Sequence, residues 1–278
     1  MAASTQKSKA EAFRALHMGP DTFVIPNPPD AGTARILALL GFKALATTSG
    51  GFAFSMGRQD GPGLVSREET LENARSIVEA TDLPVSADLQ NCFGDDPEDV
   101  AETIRKAAEV GLVGGSVEDA TGDAQHPIYE HLLSVDRVAA AVAAARGLPF
   151  PFIVTARAEN FLHGRRDLDD TIRRLQAYAE AGADVLFAPG LPNLDAVRAV
   201  CAAVAPLPVN VLAGGKHMSV ADLSAAGVRR ISVGSSLTRA AFGAFTRAAR
   251  EIAEKGTFAF NDEAIPFAEL SAFMREKL

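Results

Sequence analysis

The chain has 278 residues, is 47 % hydrophobic and 22 % charged, and carries a net charge of −8, the balance of one soluble globular domain. That charge, with no basic run and no interleaving of aromatic and basic residues, excludes nucleic acid and membrane surfaces as main partners and leaves small molecules. Two cysteines, Cys92 and Cys201, with no leader-like or long apolar stretch before them, read as a reduced, cytoplasmic protein.

Residues 1–10 are small and polar and are expected to be disordered, and a short helix over 11–17 then leads into a first strand at 22–26. The second strand, 44–48, exits into SGGFAFSMGRQDGPG, which has neither helical nor strand periodicity and reads as a long mobile loop. Ser66-Arg67-Glu68-Glu69 closes it with a capping-box start for the next helix. After the third strand, 85–89, Asp96 caps a helix whose first position suits Pro97. The fourth strand, 113–117, runs into Glu118-Asp119 and the irregular segment TGDAQHPIYEH, read as a second active-site loop, before a helix near Ser134. The last four strands end in TARAEN, FAPG, NVLAGG and SVGSS.

Four strands are entered from a helix through glycine and three through Leu-Pro, at Leu83-Pro84, Leu148-Pro149 and Leu207-Pro208. Eight short buried strands, each followed by a helical pattern, argue for parallel β/α units closing into a TIM-type (β/α)8 barrel, so residues 1–278 form a single domain. After an eighth helix from Ser236 to about Lys255, residues 263–278 form an amphipathic C-terminal helix with Ile265, Phe267 and Leu270 on one side. A closed barrel leaves that stripe no place, so it is expected to pack on a neighbouring subunit.

Barrel chemistry gathers where strands end. Those positions hold Ser49-Gly50-Gly51, Asp88, Glu118-Asp119, Arg157 with Glu159, Asn210 and Ser235, with Asp60 in the loop after the second strand. Carboxylates converging on one mouth repel or take up protons unless a cation lies between them. With no histidine or cysteine cluster the fitting ion is hard, Mg²⁺ with Mn²⁺ as substitute. Plainer readings stand beside this one. Asp88 and Glu118 can be ion-paired to Arg157, Ser49-Gly50-Gly51 can be a turn, Asn210 can satisfy backbone groups, and Ser235 can cap a helix. His126, His163, Lys216 and His217 read as solvated loop residues, and Asp95, Asp96, Glu98 and Asp99 as a helix N-terminus.

TTSGGF, Asp60, SADLQNCFG, SVEDATG, TARAENF, AGADVLF and PVNV, in this order and spacing, resemble the isocitrate lyase and phosphoenolpyruvate mutase superfamily over about residues 21–250. The resemblance implies a substrate that is, or forms, a 2-oxo acid. It implies that the amides of Ser49, Gly50 and Gly51 hold the pyruvyl carboxylate, that Arg157 faces the oxygen that becomes the enolate, and that Asn210 positions the substrate. Asp60, Asp88 and Glu118 are then the metal's surroundings, Asp60, Glu118 and Arg157 the catalytic set, and a homotetramer with exchanged last helices the assembly. The chain departs from the pattern in three places. Gln90 replaces a second aspartate, TGDAQHP replaces the Lys-Lys-Cys-Gly-His loop of the isocitrate lyases, and Pro189 replaces a glutamate. The implied activity is a Mg²⁺-dependent lyase or decarboxylase cleaving the bond at C3 of a small 2-oxo acid, oxaloacetate-like or methylisocitrate-like, through a pyruvate enolate. The alternatives are a 2-oxo acid binding protein without efficient turnover, or a carbon-phosphorus mutase or hydrolase acting on phosphonopyruvate.

Overall fold

A computed structural model describes residues 5–61, 63–214 and 218–275. In chain order the elements are α1 (Gln6–Met18), β1 (Phe23–Ile25), α2 (Ala31–Leu39), β2 (Leu45–Ala46), α3 (Ser49–Ser55), α4 (Arg67–Ala80), β3 (Val85–Asp88), α5 (Pro97–Glu109), β4 (Gly114–Glu118), α6 (His131–Arg146), β5 (Ile153–Arg157), α7 (Leu168–Glu180), β6 (Val185–Phe187), α8 (Leu194–Ala203), β7 (Val209–Leu212), α9 (Val220–Ala225), β8 (Arg230–Ser232), α10 (Ser236–Lys255) and α11 (Phe267–Arg275). The strands form one parallel sheet in the order β1-β8-β7-β6-β5-β4-β3-β2. Its two ends meet where the Ala46 N–H donates to the Pro26 carbonyl at 3.1 Å, which gives the nearly closed (β/α)8 barrel that the alternation predicts.

Strand residues alternate between the helix layer and the interior. Outward-facing Val85, Ala87, Val117 and Val154 pack with Ile77, Ile104 and Ala141 of the helices, and Ala156, Leu186, Val209 and Val211 pack with Leu175, Val197 and Val200. A third cluster seals the N-terminal end of the barrel. There Ala10 and Phe13 of α1 meet Phe23, Val113, Ile153 and Val185 at the strand starts. Phe13 is fully buried, so Phe13→Ala would cost about 3–5 kcal/mol.

Helix α1 corrects one expectation. It starts at Gln6, so residues 6–10 are helical, because Gln6 Nε2 donates to the carbonyls of Ala108 and Leu112 at 2.7 and 3.0 Å and Lys9 Nζ to that of Thr81 at 2.8 Å. These contacts tie the segment to the barrel's lower loops, and residues 1–4 lie outside the described ones.

The glycine-rich stretch after β2 is also more ordered than expected, since residues 49–55 form α3. Thr48 caps it, accepting the Gly51 N–H at 3.1 Å. The adjacent glycines lower helix propensity and hide the element, yet both are needed for close approach. A Cβ on Gly51 would lie 2.5 Å from Thr48 Cγ2 and 2.6 Å from Thr238 Oγ1, and one on Gly50 would lie 2.8 Å from Asp60 Oδ2.

Ser66 and Glu69 form the capping box that starts α4, and Pro97 opens α5, both as the sequence indicates. The segment after β4 is closed on itself by an antiparallel bridge between Ala120 and Ile128, and α6 begins at His131, three residues earlier than expected. Helix α10 spans the predicted range but buries one residue, Thr238, leaving Phe242, Phe245 and Ile252 exposed. Helix α11 lies on α2 of the same chain, where Arg35 Nη1 donates to the Met274 carbonyl at 2.8 Å, and Phe267 faces solvent.

Candidate active site

The last residues of β3, β4 and β5 are Asp88, Glu118 and Arg157, and the parallel register brings their side chains to one place at the C-terminal mouth. Arg157 Nη1 lies 2.9 Å from Asp88 Oδ1 and 3.1 Å from Glu118 Oε2, and Nε lies 2.9 Å from Glu159 Oε1. Its guanidinium stacks over Phe187, 5.1 Å from the ring centre. Asp88 also accepts from the hydroxyl of Ser49 at 2.9 Å and from its N–H at 3.3 Å. The ion-paired reading of Asp88 and Glu118 is therefore present in the structure, with Glu118 committed to Arg157.

One guanidinium does not balance this mouth. Three carboxylates, Asp88, Glu118 and Glu159, share Arg157, and a fourth, Asp60, lies within reach of its charge. Burial holds the Glu118 carboxyl well above the usual range, against the pull of Arg157, and raises Glu159 in the same way. Asp60 is raised by burial and then by the neighbouring charge of Asp88. Burial works against the charge of Arg157, but Glu159, Glu118 and Asp88 outweigh it and hold the guanidinium protonated.

This arrangement fits a hard dication. Asp60 and Asp88 line the same cavity, and the charge of Asp88 disfavours that of Asp60, which a cation beside them would relieve. Gln90 sits in left-handed backbone at φ 50° and its buried Oε1 has no hydrogen-bond partner, next to Asp88 and Ser49 in a small adjoining void. Among the described residues no three acidic, histidine or cysteine side chains converge closely enough to cage an ion alone. The ion that fits is thus one that takes one or two carboxylates and completes its shell with water and ligand oxygens, the habit of Mg²⁺.

The cavity below holds about 210 Å³ and is lined by Ser49, Gly50, Asp60, Asp88, Arg157 and, deeper, Asn210. Gly51 does not line it, and its N–H is taken up by Thr48. Asn210 is buried in a network, its Nδ2 donating to Ser232 Oγ at 3.0 Å and its Oδ1 accepting from Arg230 Nε at 2.9 Å. Ser235 borders the opening. His126 is exposed beside Asp123, His163 is exposed, and Lys216 and His217 lie outside the described residues. Cys92 is buried in the core, which pushes its thiol up to about 12 and leaves it inert.

Two participants, Asn27 and Arg230, are absent from the residues read from the sequence, and a third, Asp119, is named there only as a strand-end acid without a role. Asn27 ties the mouth together, donating to the Thr47 carbonyl and accepting from the N–H groups of Val233 and Gly234, each at 2.9 Å. Asp119 accepts from the Glu159 N–H at 2.8 Å while Tyr178 Oη and Arg174 Nη1 donate to its other oxygen at 2.7 and 3.1 Å, so it positions the turn that carries Glu159 against Arg157. Arg230 reaches the cavity floor. A charged residue inside a short strand pattern is the signal that could have found it.

Residues 13–253 match the family model described as phosphoenolpyruvate phosphomutase. A Burkholderia cenocepacia J2315 protein, assigned no more closely than to lyase or mutase, has a crystal structure that superimposes with a TM-score of 0.95 at 57 % identity, covering 98 % of this chain and 97 % of that one. The 2-methylisocitrate lyase of Halalkalibacterium halodurans is 29 % identical over 258 residues, 91 % of this chain and 85 % of that protein. The structure of an oxaloacetate acetylhydrolase in complex with its product oxalate superimposes with a TM-score of 0.86 at 25 % identity, covering 98 % of this chain and 95 % of that one. The barrel, the strand-end cluster and these likenesses converge: the chain belongs to the phosphoenolpyruvate phosphomutase family and is an enzyme of the isocitrate lyase and phosphoenolpyruvate mutase superfamily, with lyase-type activity.

Proposed function

We propose that the protein is a Mg²⁺-dependent lyase or decarboxylase that cleaves the bond at C3 of a small 2-oxo acid. The observation that carries this reading is Arg157 held among Asp88, Glu118 and Glu159 at the strand ends, with Ser49 and Asp60 beside it. The names of the relatives, a 2-methylisocitrate lyase and an oxaloacetate acetylhydrolase, support a small carboxylic acid as ligand.

Breaking the bond at C3 leaves its electron pair delocalised onto the C2 oxygen of a pyruvate enolate. A guanidinium at that oxygen stabilises charge that appears on the way to the transition state, and Arg157 is fixed for this by three carboxylates and the Phe187 ring. Ser49 and Gly50 line the cavity where the pyruvyl carboxylate would rest. Mg²⁺, or Mn²⁺ in its place, would be held by Asp88 and Asp60 with Glu118 and Gln90 at the edge, and supplies Lewis-acid polarisation of the same oxygen when bound. The described lining of the cavity has no histidine, cysteine or lysine, which favours a departing fragment that needs no dedicated acid, as in the decarboxylation of oxaloacetate, with solvent returning the proton to C3.

A coupled pyruvate assay tests this on oxaloacetate and on other pyruvates substituted at C3. Turnover is expected to vanish with EDTA and return with Mg²⁺, and equal rates in stripped and loaded enzyme would refute the mechanism. A second reading, capture of 2-oxo acids without turnover, is favoured by the inert Cys92 thiol and by Gln90 in place of a charged neighbour. Tight, Mg²⁺-dependent oxalate binding with no product from any substrate would select it. A second copy of the chain is the expected cover for the exposed apolar residues of α10 and α11, and the cytoplasm the expected compartment; among the described residues no helix is long and apolar enough to cross a membrane.

A further inference from the structure

The floor of the cavity carries a charge that the reaction above does not use. Arg230, at the start of β8, is 5 % exposed, and its side chain crosses the barrel interior to β5, where Nη2 donates to Thr155 Oγ1 at 2.9 Å. Nε donates to Asn210 Oδ1 at 2.9 Å, and Nη1 lies 3.3 Å from Nε2 of His17. His17 Nδ1 is 2.8 Å from the Phe13 carbonyl, which places the ring proton on Nδ1 and leaves Nε2 to accept from Arg230. Burial, then the charge of Arg230, pull the His17 pKa down to about 3, so the ring is neutral.

All the neighbours of this guanidinium are therefore uncharged. No described carboxylate pairs with it, and burial alone acts on it. Other buried arginines are compensated: Arg157 by three carboxylates, Arg174 by Asp119 and Asp170, and Arg137 by the carbonyls of Asn91, Gly94 and Asp95. A buried cation without an anion is costly, and the guanidinium has five N–H groups of which neutral acceptors here take three.

The cavity is built down to it. Barrel interiors are ordinarily filled by layers of Val, Ile and Leu. Here the lining includes Ser86, Ser116, Thr155 and Ser232, small and hydroxylated, and Arg230 itself faces the space they leave. Thr155 precedes Arg157 by two residues on the same inward face of β5, roughly 7 Å down the strand, so the hydroxyl that the Arg230 guanidinium reaches belongs to the layer below Arg157. The mouth thus has an excess of carboxylate and the floor an unmatched cation.

We propose that Arg230 is an anion subsite at the cavity floor, taking the far carboxylate of a short 2-oxo dicarboxylate whose 2-oxo acid end lies at Asp88 and Arg157. This rests on the 2-oxo acid reading of the mouth and narrows its ligand class to diacids. Calorimetry in the presence of Mg²⁺ tests it with two probes of equal chain length, 2-oxoglutarate and the monocarboxylate 2-oxopentanoate. The wild type is expected to bind the diacid about tenfold or more tightly, the size of a charge-assisted contact. Arg230→Gln should erase that preference and Arg230→Lys should keep part of it, with circular dichroism confirming the fold of each. If Arg230→Gln does not fold, a reduced preference in Arg230→Lys is the supporting result.

A folded Arg230→Gln that keeps the wild-type preference overturns the proposal, as does a wild type that binds both probes alike or an Arg230-dependent chloride effect equal on both. The readout is binding, so failure is separable from failure of the lyase reading. A diacid preference lost in Arg230→Gln with no turnover anywhere keeps this subsite and sinks the reaction, and turnover with equal affinities does the reverse.

Discussion

Arg157→Met takes away the cation that Asp88, Glu118 and Glu159 share while leaving a side chain of similar length. Arg157 is 13 % exposed and its partners are 21, 11 and 3 % exposed, so solvent screens the change weakly. Removing one member of a buried ion pair costs about 3–5 kcal/mol, and here several acids lose the same partner. The loss should depend on pH with a definite sign. Burial already raises Glu118 and Glu159 above their unfolded values, and Arg157 is what opposes that rise. Without it their folded pKa values move further up. A carboxyl raised on folding costs nothing below its unfolded pKa, and its penalty grows as pH rises through the folded one. The difference between wild type and variant is thus larger at pH 8 than at pH 5. Urea unfolding followed by circular dichroism, in EDTA so that no ion offsets the carboxylates, measures it. A loss under about 1 kcal/mol at pH 8, or one equal at both pH values, would refute the electrostatic account of the mouth. In the loaded enzyme kcat should fall by about 10²–10³, as for loss of one oxyanion donor.

Gln90→Asp restores a charge next to Asp88 in a residue type that accepts left-handed backbone readily, and should lower the Mg²⁺ half-saturation by about tenfold, read from the metal dependence of oxalate binding. Gly51→Ala places a methyl group 2.5 Å from Thr48 Cγ2 and should cost about 1–3 kcal/mol, visible as a lowered Tm, whereas a neutral result would mean that the start of α3 can shift. Deleting residues 264–278 should lower the oligomeric state in sedimentation if the exposed apolar faces of α10 and α11 meet a second chain, and an unchanged mass would count against that assembly.

The barrel was legible because each β/α unit repeats the same local grammar, a glycine or Leu-Pro entry, a short buried strand and a capped helix. The meeting of Asp88 and Arg157 was legible because strand ends are where such a fold exposes polar groups, and Asp60 was read from the loop that follows one. What escaped depended on contacts distant in the chain. The helical start of the Ser49–Ser55 segment rests on Thr48 and on room beside Thr238, which two adjacent glycines conceal. Order at residues 6–10 comes from carbonyls about a hundred positions away. Arg230 was hidden by its setting, the second of two adjacent arginines at the entry to a short strand, and its role is visible only once β8 and β5 face each other across the interior. Asn210 and Gly51 were read as substrate contacts, while the structure spends the first on Ser232 and Arg230 and the amide of the second on Thr48.

Helix α1 stoppers the lower end with Phe13 and Ala10, so that among the described residues the barrel's interior is a well opening at the strand-end mouth. For any chemistry that splits a ligand here, both pieces must leave by the route along which the parent came in. The piece seated lower is then held until the upper one has gone, which imposes a fixed sequence of departure and makes the lower product the one that competes with fresh substrate.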